Sequence, residues 1–269
     1  MRESINFDRA ASIYDATRKL PDATSTEITD AFLRKIRAAG ADRVLEVGIG
    51  TGRMARPLMA QGVRMAGVDI SRQMMTRLLG QLTPEHSAPD LLIGDATALP
   101  LRSGSFRAAM VVHVLHLVSS VEETLAEIRR VLAPSGVLLH QTRRAKPETK
   151  QFWHESYDEW GRLLKARNFL RRSRFDEVIV REKILESGAS LRLIDVARST
   201  ETSTVDDEMH RLRTRSQSWT WQVPSDTFDD ALPEYEQWLR AAVPGGSWTD
   251  DVTIELEVWT WPDAHAPKR

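Results

Sequence analysis

A glycine-rich turn is the part of this sequence best suited to binding chemistry. Residues 43–52 read Arg-Val-Leu-Glu-Val-Gly-Ile-Gly-Thr-Gly, so an apolar strand runs directly into three glycines at alternate positions. Gly48, Gly50 and Gly52 carry no β-carbon, which allows the backbone of the turn to lie directly against a ligand. A helix from about Arg53 would point its first amides at the same place. The pattern therefore predicts a cradle for a cofactor.

The spacing of the glycines and one nearby acid indicate which kind of cofactor is favoured. Turns that bind dinucleotide pyrophosphates use the spacing G-x-G-x-x-G, whereas residues 48–52 have the spacing G-x-G-x-G. Glu46 precedes the turn, where its carboxylate would repel a pyrophosphate and attract a cationic amino group. We therefore expect a ligand with an ammonium group rather than one with two phosphates.

Two further acids follow the next two predicted strands. Asp69 ends the strand-like segment after the turn, about 20 residues on, where a carboxylate can accept hydrogen bonds from both hydroxyls of a ribose. Asp95 ends the next apolar run, and its side chain together with the backbone amide of Ala96 can bind the edge of an adenine. The expected ligand therefore has an ammonium group, a ribose and a base.

These residues, in this order, resemble the class I S-adenosylmethionine-dependent methyltransferases, in particular the branch related to ubiquinone and menaquinone biosynthesis methylases. The similarity covers residues 5–145 well and the remainder weakly. Its other motifs are Phe7-Asp8-x-x-Ala11-x-x-Tyr14-Asp15, similar to an N-terminal helix that closes over the cofactor, Leu99-Pro100-Leu101, Ser105-Phe106, and Arg129-Arg130-Val131-Leu132-Ala133-Pro134-Ser135-Gly136.

The resemblance implies S-adenosylmethionine as the cofactor and S-adenosylhomocysteine as the product. The three glycines would pass under the methionine part of the cofactor, Glu46 would position its ammonium group through water, and Asp69 would hold the ribose. Asp95 and Ala96 would bind the adenine edge. The remaining residues that the resemblance places around the cofactor are Tyr14, Arg18, Ile70, Met74 and His113.

Three of these assignments have specific roles or alternatives. Tyr14 would cover the methyl donor. Arg18 would pair with the carboxylate of the cofactor, and an ordinary surface arginine is the alternative. Met74 would lie with Ile70 against the adenine, whereas a methionine on an amphipathic helix is also a common core residue.

His113 is the candidate catalytic residue. It falls at the carboxyl end of the fourth predicted strand, beside the expected donor, and a histidine can take up a proton near neutral pH. A base is needed only if the acceptor is a hydroxyl, an acidic carbon or a protonated amine, because the sulfonium donor is already activated. The alternative is a histidine that is hydrogen-bonded in the pocket wall and transfers no proton. We expect a direct in-line displacement without a metal.

Strands and helices alternate along the chain, as they do around a parallel sheet. The fold class is therefore α/β, with a doubly wound, seven-stranded and mostly parallel sheet, and the resemblance places the last strand antiparallel at the sheet edge. Ser71 and Ser120 are predicted N-caps of helices over 72–82 and 121–132. The predicted strands are 43–48, 64–70, 90–95, 108–114, 136–142, 191–198 and 251–259.

We expect a single methyltransferase domain over residues 1–269, with N-terminal closing helices in residues 1–38. Two segments exceed what this fold needs. Residues 146–174 place aromatic side chains among arginines, and residues 203–248 are acidic and rich in tryptophan. Insertions beyond the carboxyl ends of strands lie over the ligand crevice, so both are predicted to be helical lids around the acceptor. Their tryptophans suggest a bulky aromatic or isoprenoid-like acceptor. For residues 146–174, the alternative is a solvated amphipathic helix whose aromatic side chains face the core.

Composition excludes several classes of protein. The formal net charge is −1 and the chain contains no cysteine, so disulfides and thiolate metal sites are excluded. Methylation of pyrimidine C5 through a cysteine adduct is excluded as well. No apolar stretch approaches the ~20 residues of a membrane span. The sequence does not begin with the pattern of a signal peptide, and we expect a soluble, cytoplasmic protein.

Other functions stay open at this level. The arginines and aromatic residues of 146–174 also suit RNA, which would make the protein an RNA methyltransferase without a cysteine nucleophile. The acidic segment that follows would repel a polyanion, so a small molecule is the favoured partner. A nicotinamide oxidoreductase would need a relay such as Ser with Tyr-x-x-x-Lys, which we do not find. A non-catalytic S-adenosylmethionine-binding protein is also compatible, and the sequence indicates no oligomeric state.

Overall fold

The computed structural model describes residues 3–12, 14–17, 21–145, 152–170 and 177–262. Arg18, parts of the predicted closing segment, and parts of residues 146–174 lie outside the described residues.

The described strands form one seven-stranded sheet. Strands β1 to β5 pair in parallel with one another, and antiparallel strands lie toward one edge, so the predicted sheet is confirmed. Their order is β3-β2-β1-β4-β5-β7-β6. The strands are β1 (Arg43–Val47), β2 (Arg64–Asp69), β3 (Asp90–Ile93), β4 (Phe106–Val112), β5 (Leu132–Ala145), β6 (Ser190–Thr204) and β7 (Ser247–Thr260).

Helices flank this sheet and begin close to where the capping residues predict. The Ser71 side chain accepts a hydrogen bond from the Met74 amide at 3.1 Å, and the Ser120 side chain accepts one from the Glu123 amide at 3.2 Å. The helices are α1 (Tyr14–Thr17), α2 (Asp22–Ala38), α3 (Ala55–Ala60), α4 (Arg72–Gly80), α5 (Val121–Val131), α6 (Phe152–Ala166), α7 (Glu177–Glu186), α8 (Val205–Arg213) and α9 (Ser225–Ala242), with 3-10 helices at Asp8–Ala10 and Ser218–Gln222.

The position of strand β7 in the sheet differs from the prediction that the last strand lies at the edge. The strand lies between β5 and β6, so β6 and not β7 is the outermost strand. The polar residues that alternate along β7 are buried, and Glu255 and Glu257 are 3% and 1% exposed. Glu257 accepts hydrogen bonds from Arg181 Nε at 2.8 Å and Trp259 Nε1 at 3.0 Å, and it lies 3.0 Å from His140 Nδ1. These partners offset the burial of the carboxylate. A strand whose sequence alternates like an edge strand can therefore occupy an inner position.

The chain divides into two compact units. The first comprises Met1–Thr142, Asp176–Ala197 and Ile254–Arg269. Its core joins Phe32 of α2 and Leu58 of α3 to Val44 of β1, Met110 of β4 and Leu256 of β7 in one buried cluster.

The second unit comprises Arg143–Phe175 and Arg198–Thr253, and it has its own aromatic core. Trp160 of α6 stacks on Phe228 at 5.1 Å and on Tyr235 at 4.5 Å between ring centroids, and both partners belong to α9. Trp219 packs against the same cluster, 5.2 Å from Trp160. The Trp221 indole donates to the Arg215 carbonyl at 2.6 Å. The contacts of Trp160 favour the core-packing alternative for residues 146–174, and the lid role of both insertions stays a prediction.

None of the helices in the described segments is long and apolar enough to cross a membrane.

Candidate functional site

A pocket of about 630 Å³ opens at the carboxyl ends of β1, β2, β3 and β4. That volume includes open solvent at the mouth of the pocket. All of its lining residues belong to the first unit. The predicted site residues that line it are Tyr14, Gly48, Gly50, Asp69, Ile70, Met74, Asp95, Ala96 and His113.

The turn after β1 brings bare backbone to the pocket surface. Gly48 has a φ of +74°, and its amide donates a hydrogen bond to the Val68 carbonyl at 2.7 Å. A β-carbon added to Gly48 would lie 2.2 Å from Cγ2 of Val114, which also lines the pocket. Helix α3 begins at Ala55, two residues later than expected, and has only six residues. The turn itself, rather than a long helix, therefore forms this wall of the pocket.

Gly52 follows the same turn but does not line the pocket. Its φ is +73°, and a β-carbon there would lie 2.2 Å from Cδ1 of Leu78 in α4. Glycine at this position allows α4 to pack against the turn. This packing requirement explains the glycine, and the predicted contact between Gly52 and the ligand stays a prediction.

Asp69 is held at the end of β2 by two backbone amides. Its Oδ2 accepts a hydrogen bond from the Gly50 amide at 2.8 Å, and its Oδ1 accepts one from the Ser71 amide at 2.7 Å. Burial raises the pKa of this carboxyl, while these hydrogen bonds act in the opposite direction. Each carboxylate oxygen has a second lone pair. Asp69 can therefore still accept two hydroxyl donors from a ligand.

Asp95 lies at the end of β3 in a turn that it stabilises itself. Its Oδ1 accepts hydrogen bonds from the Thr97 amide at 2.9 Å and from the Thr97 hydroxyl at 2.8 Å. Desolvation opposes ionisation of Asp95, but the hydrogen bonds from Thr97 and Ser4 outweigh it and lower the pKa of the carboxyl. Asp95 is therefore an ionised acceptor at neutral pH.

Glu46 is buried within β1, 3% exposed, and does not line the pocket. Its Oε2 has no hydrogen-bond partner among the described residues. Burial raises the pKa of Glu46 well above its ordinary value, and the charge of Arg53 opposes this shift. A buried carboxylate oxygen without a partner costs free energy, which a cationic ligand group or a bridging water can recover.

The N-terminal segment is tied to the pocket by two aspartates. Asp8 accepts hydrogen bonds from the Ser71 hydroxyl and, at 3.1 Å, from the Gln73 amide. Asp15 accepts hydrogen bonds from the Thr51 hydroxyl at 2.5 Å and from Gln81 Nε2 at 2.8 Å. The sequence motif contains both aspartates, but nothing in it identified their partners.

Between these anchors, two aromatic residues of the N-terminal segment reach the pocket. Phe7 and Tyr14 line it, and their rings meet edge to face at 5.7 Å. The predicted position of Tyr14 is consistent with this geometry.

His113 follows β4 directly and lines the pocket with a φ of +57°. This left-handed conformation is rare for residues other than glycine and costs about 1–3 kcal/mol. It ends β4 at Val112, two residues before the predicted end. Strained backbone of this kind clusters at functional sites.

Apolar lining residues form the part of the wall that sequence reasoning missed. They come from short stretches without a motif. Ile5 is held at the pocket by a hydrogen bond from its amide to the Leu117 carbonyl at 2.9 Å. Only the apolar ends of the strands gave a signal for the others. These residues are Ile5, Val68, Val112, Val114, Leu117 and Val118, with Ser4 and Gly94 as further lining residues.

Within the part of the chain that the structure describes, no group of three or more His, Asp or Glu side chains is arranged to hold a metal ion.

Residues 45–140, which include the turn, Asp69, Asp95 and His113, match the family model described as a methyltransferase domain. The segment is therefore similar to the class I S-adenosylmethionine-dependent methyltransferases. The resemblance drawn from the sequence is thereby confirmed. S-adenosylmethionine is the cofactor of this family, as predicted.

Two curated relatives illustrate the similarity. The chain is 29% identical over 175 residues to the malonyl-[acyl-carrier protein] O-methyltransferase of Enterobacter lignolyticus, covering 64% of this chain and 65% of the relative. It is 33% identical over 136 residues to the ubiquinone/menaquinone biosynthesis C-methyltransferase UbiE of Syntrophotalea carbinolica, covering 49% of this chain and 57% of the relative. The chain therefore spans less than two thirds of each relative.

Solved structures share the fold at lower identity. The YcgJ protein from Bacillus subtilis has a TM-score of 0.58 at 16% identity, covering 88% of this chain and 98% of that protein. The [4+2]-cyclase SpnF has a TM-score of 0.54 at 18% identity, covering 88% of this chain and 80% of that protein. These similarities establish the fold alone.

Replacement of Gly48 by alanine tests the cradle. We expect Gly48→Ala to weaken binding of S-adenosylhomocysteine by about 100-fold or more, because strain of about 1–3 kcal/mol is added to a clash with Val114. Isothermal titration calorimetry measures this loss. Gly104→Ala is the matched control, since Gly104 has a φ of +67° but open space around it. Equal binding by the wild type and Gly48→Ala would contradict a cradle at this turn.

Proposed function

We propose that this protein transfers a methyl group from S-adenosylmethionine to a small-molecule acceptor, by direct in-line displacement and without a metal. The observation that carries the proposal is the meeting of Gly48, Gly50, Asp69 and Asp95 at one pocket. These residues are far apart in the sequence and come from three separate strand ends. Their convergence matches the backbone surface, ribose acceptor and base acceptor that the cofactor requires.

The residues present fit the cofactor. The turn at Gly48 leaves no room for a side chain, and Asp69 keeps free lone pairs in fixed directions. The unpartnered Oε2 of Glu46 would position the ammonium group of the cofactor through a water, because Glu46 does not line the pocket. Asp95 supports the adenine edge. These residues would hold the cofactor, and Tyr14 would cover it.

When bound, the cofactor supplies a methyl group on a positively charged sulfur. The protein then has to align the acceptor and exclude water, and well-oriented reactions gain on the order of 7–11 kcal/mol in this way. The apolar residues Val112, Val114, Leu117 and Val118 line the pocket beside His113 and favour exclusion of water. His113, which lines the same pocket, would accept a proton from an acceptor that must lose one.

The acceptor itself is left open. Of the two relatives above, one is named for O-methylation of a malonyl carrier protein and the other for C-methylation in quinone biosynthesis. These names differ in both the acceptor and the atom methylated. Trp219 and Trp221, which suggested a bulky aromatic acceptor, make packing contacts within the second unit. The class of acceptor therefore has to come from experiment.

The proposed function is tested by binding and then by turnover. We expect calorimetry to detect binding of S-adenosylhomocysteine and no binding of NADH, since the glycine spacing disfavours a pyrophosphate. With methyl-labelled S-adenosylmethionine, we expect label to enter the small-molecule fraction of a metabolite extract and not purified RNA. Binding of NADH alone would indicate an oxidoreductase. Label in RNA would instead support an RNA methyltransferase. Binding without any turnover would support a non-catalytic S-adenosylmethionine-binding protein.

The pH dependence of binding tests Glu46. Because burial raises the pKa of Glu46, the free protein retains this proton to higher pH, and its stability decreases as pH rises above the ordinary glutamate value. A bound ammonium group favours the carboxylate, so binding releases the proton. We expect the affinity for S-adenosylhomocysteine to rise with pH, by up to about tenfold per unit, until the pKa of Glu46 is passed.

Calorimetry across this pH range, in buffers of different ionisation enthalpy, counts the protons released. We expect Glu46→Gln to remove the dependence. Asp95→Asn is the matched control, because the pKa of Asp95 is already lowered and its loss weakens binding equally at each pH. An unchanged pH profile in Glu46→Gln would contradict the role of Glu46.

Substitution of His113 distinguishes a base from a wall residue. Asparagine tolerates the left-handed conformation but cannot act as the base. We expect His113→Asn to lower kcat by about 100-fold or more, with little change in the KM for S-adenosylmethionine and loss of the acid limb of the pH profile. His86→Asn, in the turn after α4, is the control. Retention of kcat in His113→Asn would assign His113 to the wall.

A further inference from the structure

The loop after β3 is folded back on itself at the pocket wall. The Ala98 amide donates a hydrogen bond to the Asp95 carbonyl at 3.0 Å, and Thr97 donates two to the Asp95 carboxylate. A β-carbon on Gly94 would lie 2.9 Å from Cδ of Pro100, so the proline ring lies directly against the backbone of Gly94. Gly94 and Asp95 both line the pocket. The position of Asp95 therefore depends on where Pro100 is held.

Helix α5 holds Pro100 from both sides. Arg130 donates from Nη2 to the Leu99 carbonyl at 3.0 Å and from Nη1 to the Leu101 carbonyl at 2.8 Å. Glu127 Oε2 accepts a hydrogen bond from the Leu99 amide at 2.7 Å. The amide and carbonyl of Leu99, before the proline, and the carbonyl of Leu101, after it, are thus bound by two side chains of one helix.

The two side chains also fix each other. Arg130 donates from Nε to Glu127 Oε1 and from Nη2 to Glu127 Oε2, each at 2.7 Å. The hydrogen bond from Arg130 lowers the pKa of Glu127, and so does the Leu99 amide, so the carboxylate stays charged at neutral pH. A planar guanidinium can bind a carboxylate with two donors and two carbonyls with the others, whereas a lysine ammonium cannot reproduce this geometry.

We propose that Arg130 and Glu127 are positioning residues that set the preference of the pocket for an adenine base. They fix Pro100, and Pro100 in turn fixes Gly94 and the Asp95 turn. Neither Arg130 nor Glu127 lines the pocket, so they act through the loop and not through contact with the ligand. The inference rests on the proposed function, because it takes the base of the cofactor to contact Asp95.

The neighbouring arginine provides a matched control. The Arg129 guanidinium lies over the Trp261 ring, 5.2 Å from its centroid. Arg129→Lys and Arg130→Lys are therefore the same chemical change at adjacent positions of one helix, and only Arg130→Lys weakens the hold on Pro100. Glu127→Gln provides a second test, because it keeps the size of the side chain and removes the charge that orients Arg130.

The experiment compares two ligands on the full chain by calorimetry. S-adenosylhomocysteine carries adenine, whereas S-inosylhomocysteine replaces the exocyclic amine, a donor suited to Asp95, with a carbonyl. We expect the wild type and Arg129→Lys to prefer the adenine ligand equally. We expect Arg130→Lys to reduce this preference by about fivefold, equivalent to one net hydrogen bond, and Glu127→Gln to reduce it less. A general loss of stability would lower both affinities together and leave their ratio unchanged.

The possible results distinguish failure of the positioning role from failure of the proposed function. An unchanged ratio in Arg130→Lys and Glu127→Gln would overturn the positioning role while leaving the proposed function in place. Equal binding of both ligands by the wild type would also overturn it. If the wild type binds neither ligand, the proposed function fails and this inference fails with it. Thermal melting establishes whether each variant is folded, and Glu127→Gln decides the question if Arg130→Lys is not.

Discussion

The hydrogen bond from the Gly50 amide to Asp69 Oδ2 is the interaction on which the pocket depends. At 2.8 Å it joins the turn after β1 to the end of β2, and the Ser71 amide holds the other oxygen of the same carboxylate at 2.7 Å. The carboxylate is therefore oriented before any ligand arrives. Such preorganisation reduces the cost of ordering the site upon binding.

Ser71 extends this arrangement to two further elements. Its amide binds Asp69, its hydroxyl donates to Asp8 of the N-terminal segment, and the same hydroxyl accepts the Met74 amide at the start of α4. Asp15 adds a second anchor through Thr51, next to the glycine turn. The segment that carries Phe7 and Tyr14 is thus fixed to the same loops that form the base of the pocket.

The local parts of this site could be predicted from the sequence, because their geometry depends on residues that are neighbours in the chain. A strand followed by alternating glycines, acids after strand ends, and serine caps each depend on a few consecutive positions, and the capping bonds of Ser71 and Ser120 agree with that reasoning. The sequence offered no sign of the contact with Leu78 that requires a glycine at position 52, because Leu78 is distant in the sequence.

Long-range partners account for what the sequence did not reveal. The inner position of β7 depends on Arg181 and His140, which both contact Glu257. Pro100 is held by Arg130, which donates to two backbone carbonyls 29 and 31 residues earlier in the sequence. No periodicity reports a pairing of this kind. The left-handed φ of His113 likewise depends on the tertiary structure, although histidine adopts this conformation more readily than most residues other than glycine.

The outer position of β6 has a consequence for the solution behaviour of the protein. This strand has 15 residues, and most of them are at least partly exposed. A long strand at a sheet border offers unpaired backbone groups to other chains, and proteins commonly counter this with charged side chains. Arg192, Asp195 and Arg198 occupy exposed positions along β6. Their charges oppose edge-to-edge aggregation, so neutral replacements there would endanger solubility without touching the pocket.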